Sequence, residues 1–390
     1  MKTAVPVSDL SRPSLDAAGW LLTSGIQDLG PAPETKGGVN AWWDVRAESY
    51  SFIYGEITGY AVSAYLFFYE ASQDKAFLQA AKRAGDWLLA NGVEGCGLIK
   101  NRVNQPGFKV RYYDAWLFTF DQWISVYGLA CLAEVTKETR YLDKAREMAD
   151  FLIKNTARSD GAFEAVYDTA KKKALSSKDK WSRQSGGFHA KALMALLKLK
   201  ELTGNPRYAE TGRALAAWTL KNQLKSGRFV TQSSDRSTHL HPHFYTVEGL
   251  IAWGLAAKDS RILEAAVRAV DWAFRHQHAD GRIDSFYKND AFVPFVRCDI
   301  MSQALRTAAV LQQHRLWHPP AGSLEKLRDC ILAHQVLAGS QKGGFLYGAE
   351  QDGTIHYHVN SWVTMFAAQA IWIYDVIGRQ KKHYKMNFFI

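Results

Sequence analysis

Apolar residues fall along this chain in two kinds of segment, and the difference between them predicts the architecture. Segments such as "HAKALMALLKL" and "SWVTMFAAQAIWIY" are apolar around most of a helical circumference, which requires burial on nearly every side. Segments such as "DKAFLQAAKRAGDWLLAN" carry charge along one face and belong on the outside. The two kinds alternate. Four stretches that close the first kind and open the second align without gaps: "YEASQDKAFL", "AEVTKETRYL", "KELTGNPRYA" and "GLAAKDSRIL". The second helices end in a related set, "AGDWLLANG", "MADFLIKNT", "LAAWTLKNQ", "AVDWAFRHQ" and "LRDCILAHQ". A glycine with apolar or aromatic neighbours follows, as in "CGLIKN", "DGAFEAVYD", "SGRFVTQ", "DGRIDSFY" and "GGFLYGAE".

The repeat is therefore helix, tight turn, helix and glycine-marked loop. Its spacing of roughly 55 to 65 residues is too long for an ordinary two-helix solenoid. Helices of the first kind begin near Glu56, Asp121, His189, Phe244, Asp299 and Ser361. Five of the second kind follow them, and the N-terminal "DAAGWLLTS" supplies a sixth if it pairs with the last inner helix. The pattern predicts an all-α fold, an (α/α)6 toroid of six inner and six outer helices. It forms one domain over residues 1–378 and leaves a basic tail at 379–390. Inner-to-outer turns are short, whereas outer-to-inner connections are long loops of the kind that usually carry function. Those loops gather at the N-terminal ends of the inner helices, which places the mouth of the toroid there.

The six entrances read "AESYSFIYGEITGY", "RYYDAWLFTFDQW", "WSRQSGGFHAK", "HLHPHFYTVEG", "PFVRCDIMSQ" and "HYHVNSWVT". A single acid at such a place is explained by helix initiation, because free N–H groups and the helix dipole favour it. Acids, histidines and arginines recurring at six equivalent places, with aromatics around them, point to a site. Glu56, Asp121 and Asp299 are the candidate catalytic carboxylates, and His189, His243 and Tyr245 the candidate bases. Candidate substrate contacts are Trp43, Asp44, Arg46, Tyr54, Tyr113, Asp114, Trp116, Arg183, Gln184, His241, Glu248, Arg297, His358, Asn360 and Trp362. Aromatic faces beside acids and amides suit sugar rings. Histidines 239, 241 and 243 alternate, and an extended loop would set them on one side. No HExxH or CxxC spacing accompanies them, so no metal and no cofactor is expected.

Charge and cysteine usage narrow the class. The formal charge of +10 is concentrated in "AKKKALSSKDKW" and "RQKKHYK", which read as solvated loop and terminus rather than as a nucleic-acid surface. Cys96, Cys131, Cys298 and Cys330 have no close spacing and read as reduced thiols. The N-terminus shows no apolar secretory region, and no apolar run reaches the length of a membrane span. The expectation is a cytoplasmic protein of unspecified oligomeric state.

The segments "GEITGYAVSAYLFFYEASQDKAFL", "FDQWISVYGLACLAEVTKETRYLDKA", "FHAKALMALLKLKELTGNPRYAETG" and "HFYTVEGLIAWG" resemble the six-hairpin glycosidase-like superfamily over nearly the whole chain. Within it they look like a subgroup found among bacterial surface-polysaccharide genes. The resemblance implies a carbohydrate-active protein acting on a bacterial poly- or oligosaccharide in polysaccharide biosynthesis, and leaves its reaction open. There is no paired "DD" of toroid cyclases, and the tryptophan- and proline-rich entrance of N-acylglucosamine epimerases is not visible.

Hydrolysis would use two carboxylates, with Glu56 as the acid and Asp121 or Asp299 activating water or stabilising charge. A uronate lyase or epimerase would use a histidine or Tyr245 as base, with Arg183 and Arg297 neutralising the substrate carboxylate. A non-catalytic glycan-binding or assembly toroid would keep the aromatics and tolerate loss of every acid. Hydrolysis is the leading reading, and an acidic carbohydrate would suit the arginines.

Overall fold

The computed structural model describes residues 11–105, 115–349, 354–380 and 389–390. The inner helices are α2 (Gly55–Ser72), α4 (Thr119–Thr136), α6 (Ala192–Thr203), α8 (Leu240–Ala257), α10 (Cys298–Gln313) and α12 (Ser361–Gln380). The outer helices are α1 (Arg12–Thr23), α3 (Lys75–Ala90), α5 (Thr139–Thr156), α7 (Pro206–Lys221), α9 (Ser260–Phe274) and α11 (Ser323–Leu332). Each inner helix packs on the next, and α12 returns to α2, so the ring is closed. Helix α1 packs on α12 and completes the sixth hairpin. The chain is an (α/α)6 toroid, as its repeat implies.

The aligned stretches of the sequence are the inner-to-outer turns, and their chemistry explains the alignment. Helices α2, α4, α6 and α8 each stop at one residue in the left-handed region, at Gln73, Lys137, Gly204 and Lys258. The next residue is already the N-cap of the outer helix. Asp74, Asn205 and Asp259 accept a hydrogen bond there from the backbone N–H two residues on. Ser72, Thr136 and Thr203 brace the same turn by accepting from the N–H of that cap residue. One left-handed residue followed by one polar cap is the shortest way to reverse a helix, and it occurs four times.

Inner helices bury almost every position, as the uninterrupted run from Thr119 to Ala133 in α4 shows. Gly59 and Gly128 let α2 and α4 touch. A Cβ at Gly59 would sit 2.9 Å from Ser125 Cα, and one at Gly128 would sit 2.6 Å from Gly59 O. The room at Gly59 is thus filled by the neighbouring helix. Helix α8 begins at Leu240, earlier than the expected Phe244, because Pro242 falls in its first turn, where a proline costs no hydrogen bond.

The loops at the mouth are built of short antiparallel strands. Ile53–Tyr54 pairs with Arg102–Val103, Trp116–Phe118 with Val166–Asp168, Thr238–His239 with Phe286–Lys288, and Trp42–Asp44 with Ile355–Asn360. Four of these strands run straight into an inner helix, at Gly55, Thr119, Leu240 and Ser361. Tyr54, Phe118 and His239 are N-cap residues of α2, α4 and α8, and Arg297 holds that place in α10. Strand pairing therefore fixes the side chain at the lip of each of these inner helices.

The reading of residues 379–390 as a solvated tail needs correction at its end. Phe389 and Ile390 are buried inside the ring, where apolar side chains find the aromatic lumen. Among the described residues, no helix is long and apolar enough to cross a membrane.

Candidate active site

A cavity of about 470 Å³ opens at the strand-lined end of the ring. Its walls come from five inner-helix entrances and from the loop around Trp181. Six of the expected residues that line it are Tyr54, Glu56, Asp121, His241, Tyr245 and Trp362. Arg183 and Arg297 complete the set that the structure brings together.

Glu56 and Asp121 occupy the first turns of adjacent inner helices and meet around one phenol. Tyr54 donates its hydroxyl hydrogen to Asp121 Oδ2 at 3.0 Å, and the same hydroxyl contacts Glu56. Burial, then the Asp121 charge, raises the Glu56 carboxyl well above its ordinary value, although Tyr54, Arg102 and Lys191 pull the other way. Burial pushes Asp121 up to about 7 against the lowering effects of Tyr54 and Arg102. Two neighbouring carboxyls in one dry pocket cannot both ionise cheaply. The pair therefore holds a proton at neutral pH, on Glu56 first.

This has a consequence for stability. Groups whose pKa is raised by folding bind protons more tightly in the native state, so their contribution is complete below the unfolded value and declines as they ionise. The melting temperature of the parent chain should fall, relative to Asp121→Asn, as pH rises from about 4 through the Asp121 value near 7. A parallel course of the two melting curves across that window would show that the pair is not strained.

The opposite wall is organised around Asp299. Its carboxylate receives Arg297 through Nε at 3.1 Å and Nη2 at 2.5 Å, and the Trp362 indole N–H at 3.2 Å. Burial alone would raise Asp299, but Arg297, His241 and Trp362 outweigh it and hold the group well below the usual carboxylate range. Asp299 is fully buried and does not line the cavity; it anchors Arg297 and Trp362, which do.

His241 has a defined tautomer. Its Nδ1 lies 2.7 Å from Gln303 Oε1, and Gln303 turns its amide N–H toward Glu248 Oε1 at 3.4 Å. Gln303 must then accept from His241, so the imidazole carries its hydrogen on Nδ1 and keeps the Nε2 lone pair for a ligand. Burial lowers His241 to about 4, with Asp299 opposing, so the ring is neutral at pH 7. Tyr245 stacks on it with ring centroids 4.4 Å apart. Burial and the Glu56 charge raise the Tyr245 phenol well above its ordinary value, so it remains a neutral hydroxyl.

Other expected residues serve elsewhere. His239 ends a strand and His241 begins a helix, so the three histidines do not share a side as an extended loop would make them. His243 is buried behind α8, accepting the Phe229 N–H on Nδ1 and facing Ala269 O through Nε2. His189 is buried beside Phe188. Glu248 lies beneath the cavity in an ion cluster. Trp116 donates to Asp168, and Gln184 bonds Gln232 and Ser233. Trp43 packs edge-on against Tyr50. Asp44 closes the hairpin turn at Arg46 and Ala47, and Arg46 covers Tyr357. His358 stacks on Trp42, and Asn360 caps α12 at Val363. Tyr113 and Asp114 fall outside the described residues.

The sequence reading missed Arg102, Lys180, Trp181, Phe120 and Tyr347. Arg102 could have been found, since it closely follows the glycine-marked "CGLIKN" and enters the mouth by pairing with Tyr54 across the strands. Its guanidinium lies over the Phe52 and Tyr54 rings, 3.9 and 4.9 Å from their centroids. Burial lowers it to about 10, which leaves it charged at neutral pH. Among the described residues the four cysteines are free thiols.

No family model matches the chain, and no curated protein matches it by sequence. Solved structures do match it in shape. One is the cellobiose 2-epimerase of Bacillus thermoamylovorans, 14% identical, with a TM-score of 0.73 over 92% of this chain and 97% of that one. A sugar epimerase from a ruminal bacterium is 11% identical, with a TM-score of 0.75 over 95% and 97% of the two chains. An unsaturated glucuronyl hydrolase of a Bacillus sp. is 12% identical, with a TM-score of 0.66 over 94% and 97%. At these identities the likeness concerns the fold. The chain shares the six-hairpin toroid of these structures.

Proposed function

We propose that this protein is a carbohydrate-processing enzyme whose chemistry is acid–base catalysis by Glu56 and Asp121, most simply the hydrolysis of a glycosidic bond. The observation that carries the reading is the pair itself, two carboxyls from adjacent inner helices sharing the Tyr54 hydroxyl in a cavity. Protonated Glu56 can donate to a leaving oxygen while ionised Asp121 assists water or balances positive charge on the sugar ring. Tyr54, bonded to one and in contact with the other, can relay the proton between them. Carboxyls whose environments separate their protonation states are the usual means of running both halves of such a reaction at one pH.

Charge on the walls favours an acidic sugar. Arg102, Lys180, Arg183 and Arg297 bring four cations, and Asp179 and Asp299 neutralise two of them. Trp181, Phe188 and Trp362 supply faces for ring C–H groups.

A second reading rests on His241. A neutral imidazole with a free Nε2, facing the same cavity as a protonated carboxyl, is equipped to remove a C–H proton and return it elsewhere. That is the requirement for an epimerase or lyase. The solved structures with this fold include both epimerases and a hydrolase.

One experiment separates the readings. Neutral and uronate-containing oligosaccharides are incubated with the protein in deuterated water and followed by NMR. Hydrolysis gives new reducing ends without deuterium on carbon, whereas epimerisation puts deuterium at the inverted centre. A lyase gives an unsaturated uronate. The hydrolase reading predicts the first outcome, with uronides turned over faster than neutral sugars, and deuterium on carbon would replace it with the second. Tyr54→Phe should lower the rate by roughly ten- to a hundredfold, the range expected when one proton-relaying group is lost. A full rate in that variant would remove Tyr54 from the mechanism.

A further inference from the structure

Below the cavity the lumen holds a sealed polar cluster. Lys191 Nζ donates to Glu248 Oε2 at 2.6 Å, and Arg306 donates to Glu248 Oε1 through Nε at 2.8 Å and also through Nη2. All three side chains are excluded from solvent. One carboxylate thus serves two cations, and each cation needs a further acceptor. Ile390 provides one for Lys191, and Gln369, itself bonded by Ile390, provides one for Arg306. Lys191 Nζ donates to Ile390 O at 2.8 Å. The Ile390 N–H donates to Gln369 Oε1 at 3.1 Å, and Arg306 Nη1 reaches the same oxygen at 3.3 Å. The Phe389 ring lies 5.6 Å from Lys191 Nζ and 5.0 Å from the Arg306 guanidinium carbon.

The cluster is tied to the cavity at two points. Lys191 lies 5.6 Å from the Tyr60 centroid and 5.5 Å from that of Tyr245, so it supports the aromatic floor from below. Glu248 receives the amide of Gln303, which, together with the Asp299 carboxylate 3.4 Å from the same nitrogen, sets the hydrogen of His241 on Nδ1. An unbroken path of hydrogen bonds runs from Ile390 through Lys191, Glu248 and Gln303 to His241.

We infer that Phe389 and Ile390, seated beneath the active site, act as a positioning element for it. Seated in the lumen, they hold the Lys191–Glu248–Arg306 cluster in the arrangement that fixes the tautomer and orientation of His241 and supports Tyr245. Without them Lys191 loses an acceptor, Arg306 keeps only the Phe366 face, and the three buried charges must rearrange or admit water. Gln303 is then free to turn over, and His241 is left with Asp299 alone as the acceptor for its Nδ1 hydrogen. The seat stands independently of which sugar reaction occurs; only its effect on turnover rests on the reading above.

The test uses the full-length chain carrying Phe389→Ala and Ile390→Ala, labelled with 15N-histidine. The His241 signals are assigned from a His241→Gln variant. In the parent, His241 should show a protonated Nδ1 and an unprotonated Nε2. In the double variant these two shifts should move toward each other, and the melting temperature should drop by roughly 5–10 °C, as expected when two buried apolar side chains are truncated. A synthetic peptide of residues 385–390 should bind the double variant, restore both readouts, and leave the parent unchanged. The conservative Phe389→Leu should keep the His241 signals of the parent. If the double variant does not fold, Phe389→Ala alone is read in the same way. A lower melting temperature with unchanged His241 shifts would overturn the proposal, since the segment would then be a plug without influence on the site. Unchanged values of both would overturn it outright.

Discussion

Glu56→Gln is expected to abolish turnover while leaving the fold as stable as the parent or slightly more so. The amide keeps the shape of the side chain and can still meet the Tyr54 oxygen, but it has no proton to give. Loss of a general acid costs about 10²–10⁴ in rate. Stability should move the other way because the parent pair is strained: burial raises both carboxyls, and the Asp121 charge raises Glu56 further. A neutral amide removes the strain of ionising Glu56, while Asp121 faces the same uncharged neighbour that protonated Glu56 presents and should still titrate at about 7. Three measurements on one variant are therefore linked: activity falls, melting temperature holds or rises, and Asp121 titrates near its present value. Full activity in Glu56→Gln would sink the acid–base reading and leave His241 as the group to pursue. A large loss of stability would show instead that Glu56 was needed for helix initiation.

That outcome bears on why the fold could be read from the sequence more fully than the site. The toroid repeats a turn whose residues are dictated locally. Ser72–Gln73–Asp74 and Thr203–Gly204–Asn205 each encode a left-handed stop followed by a side-chain cap, and the same physics writes the same pattern wherever a hairpin reverses. Burial of the inner helices is likewise visible as apolarity on all faces. The site has no such periodicity. Glu56 and Asp121 stand out because both occupy first turns of inner helices. Arg102 and Lys180 reach the cavity from the loops, and Arg102 does so by pairing across two-residue strands too short to announce themselves. Distance along the chain hides the remaining relations. Asp299, expected as a catalytic group, is saturated by Arg297, Trp362 and His241. All three were expected as substrate contacts, and no spacing rule would join them to it. The burial of Phe389 and Ile390 was concealed by the basic stretch before them, which reads as solvated.

The second large effect is expected at Glu248, which touches no substrate. Glu248→Ala would leave Lys191 and Arg306 facing each other inside the ring without a countercharge. Removing one partner of a sealed ion cluster typically costs about 3–5 kcal/mol, because the remaining charges stay desolvated. Burial already lowers Lys191 to about 8 although Glu248 raises it, so without the carboxylate the lysine should be neutral in the folded state at pH 7. That sets a sign for the pH dependence. The folded variant would bind a proton less tightly than its unfolded chain, and it should therefore gain stability as pH rises from neutrality toward the unfolded lysine value near 10.4. Denaturant melts of parent and Glu248→Ala at pH 7 and at a pH above 9 provide the comparison: the difference in unfolding free energy should be large at the first and smaller at the second. A second variant, Glu248→Leu with Lys191→Met and Arg306→Met, replaces the whole cluster by apolar groups and should recover most of the stability, as sealed ion groups often do when replaced together. It should not recover the His241 tautomer, since Gln303 then has no acceptor for its amide. Stability restored without the tautomer would separate what the cluster contributes to folding from what it contributes to the site. Restoration of both would show that Gln303 is held by something other than Glu248.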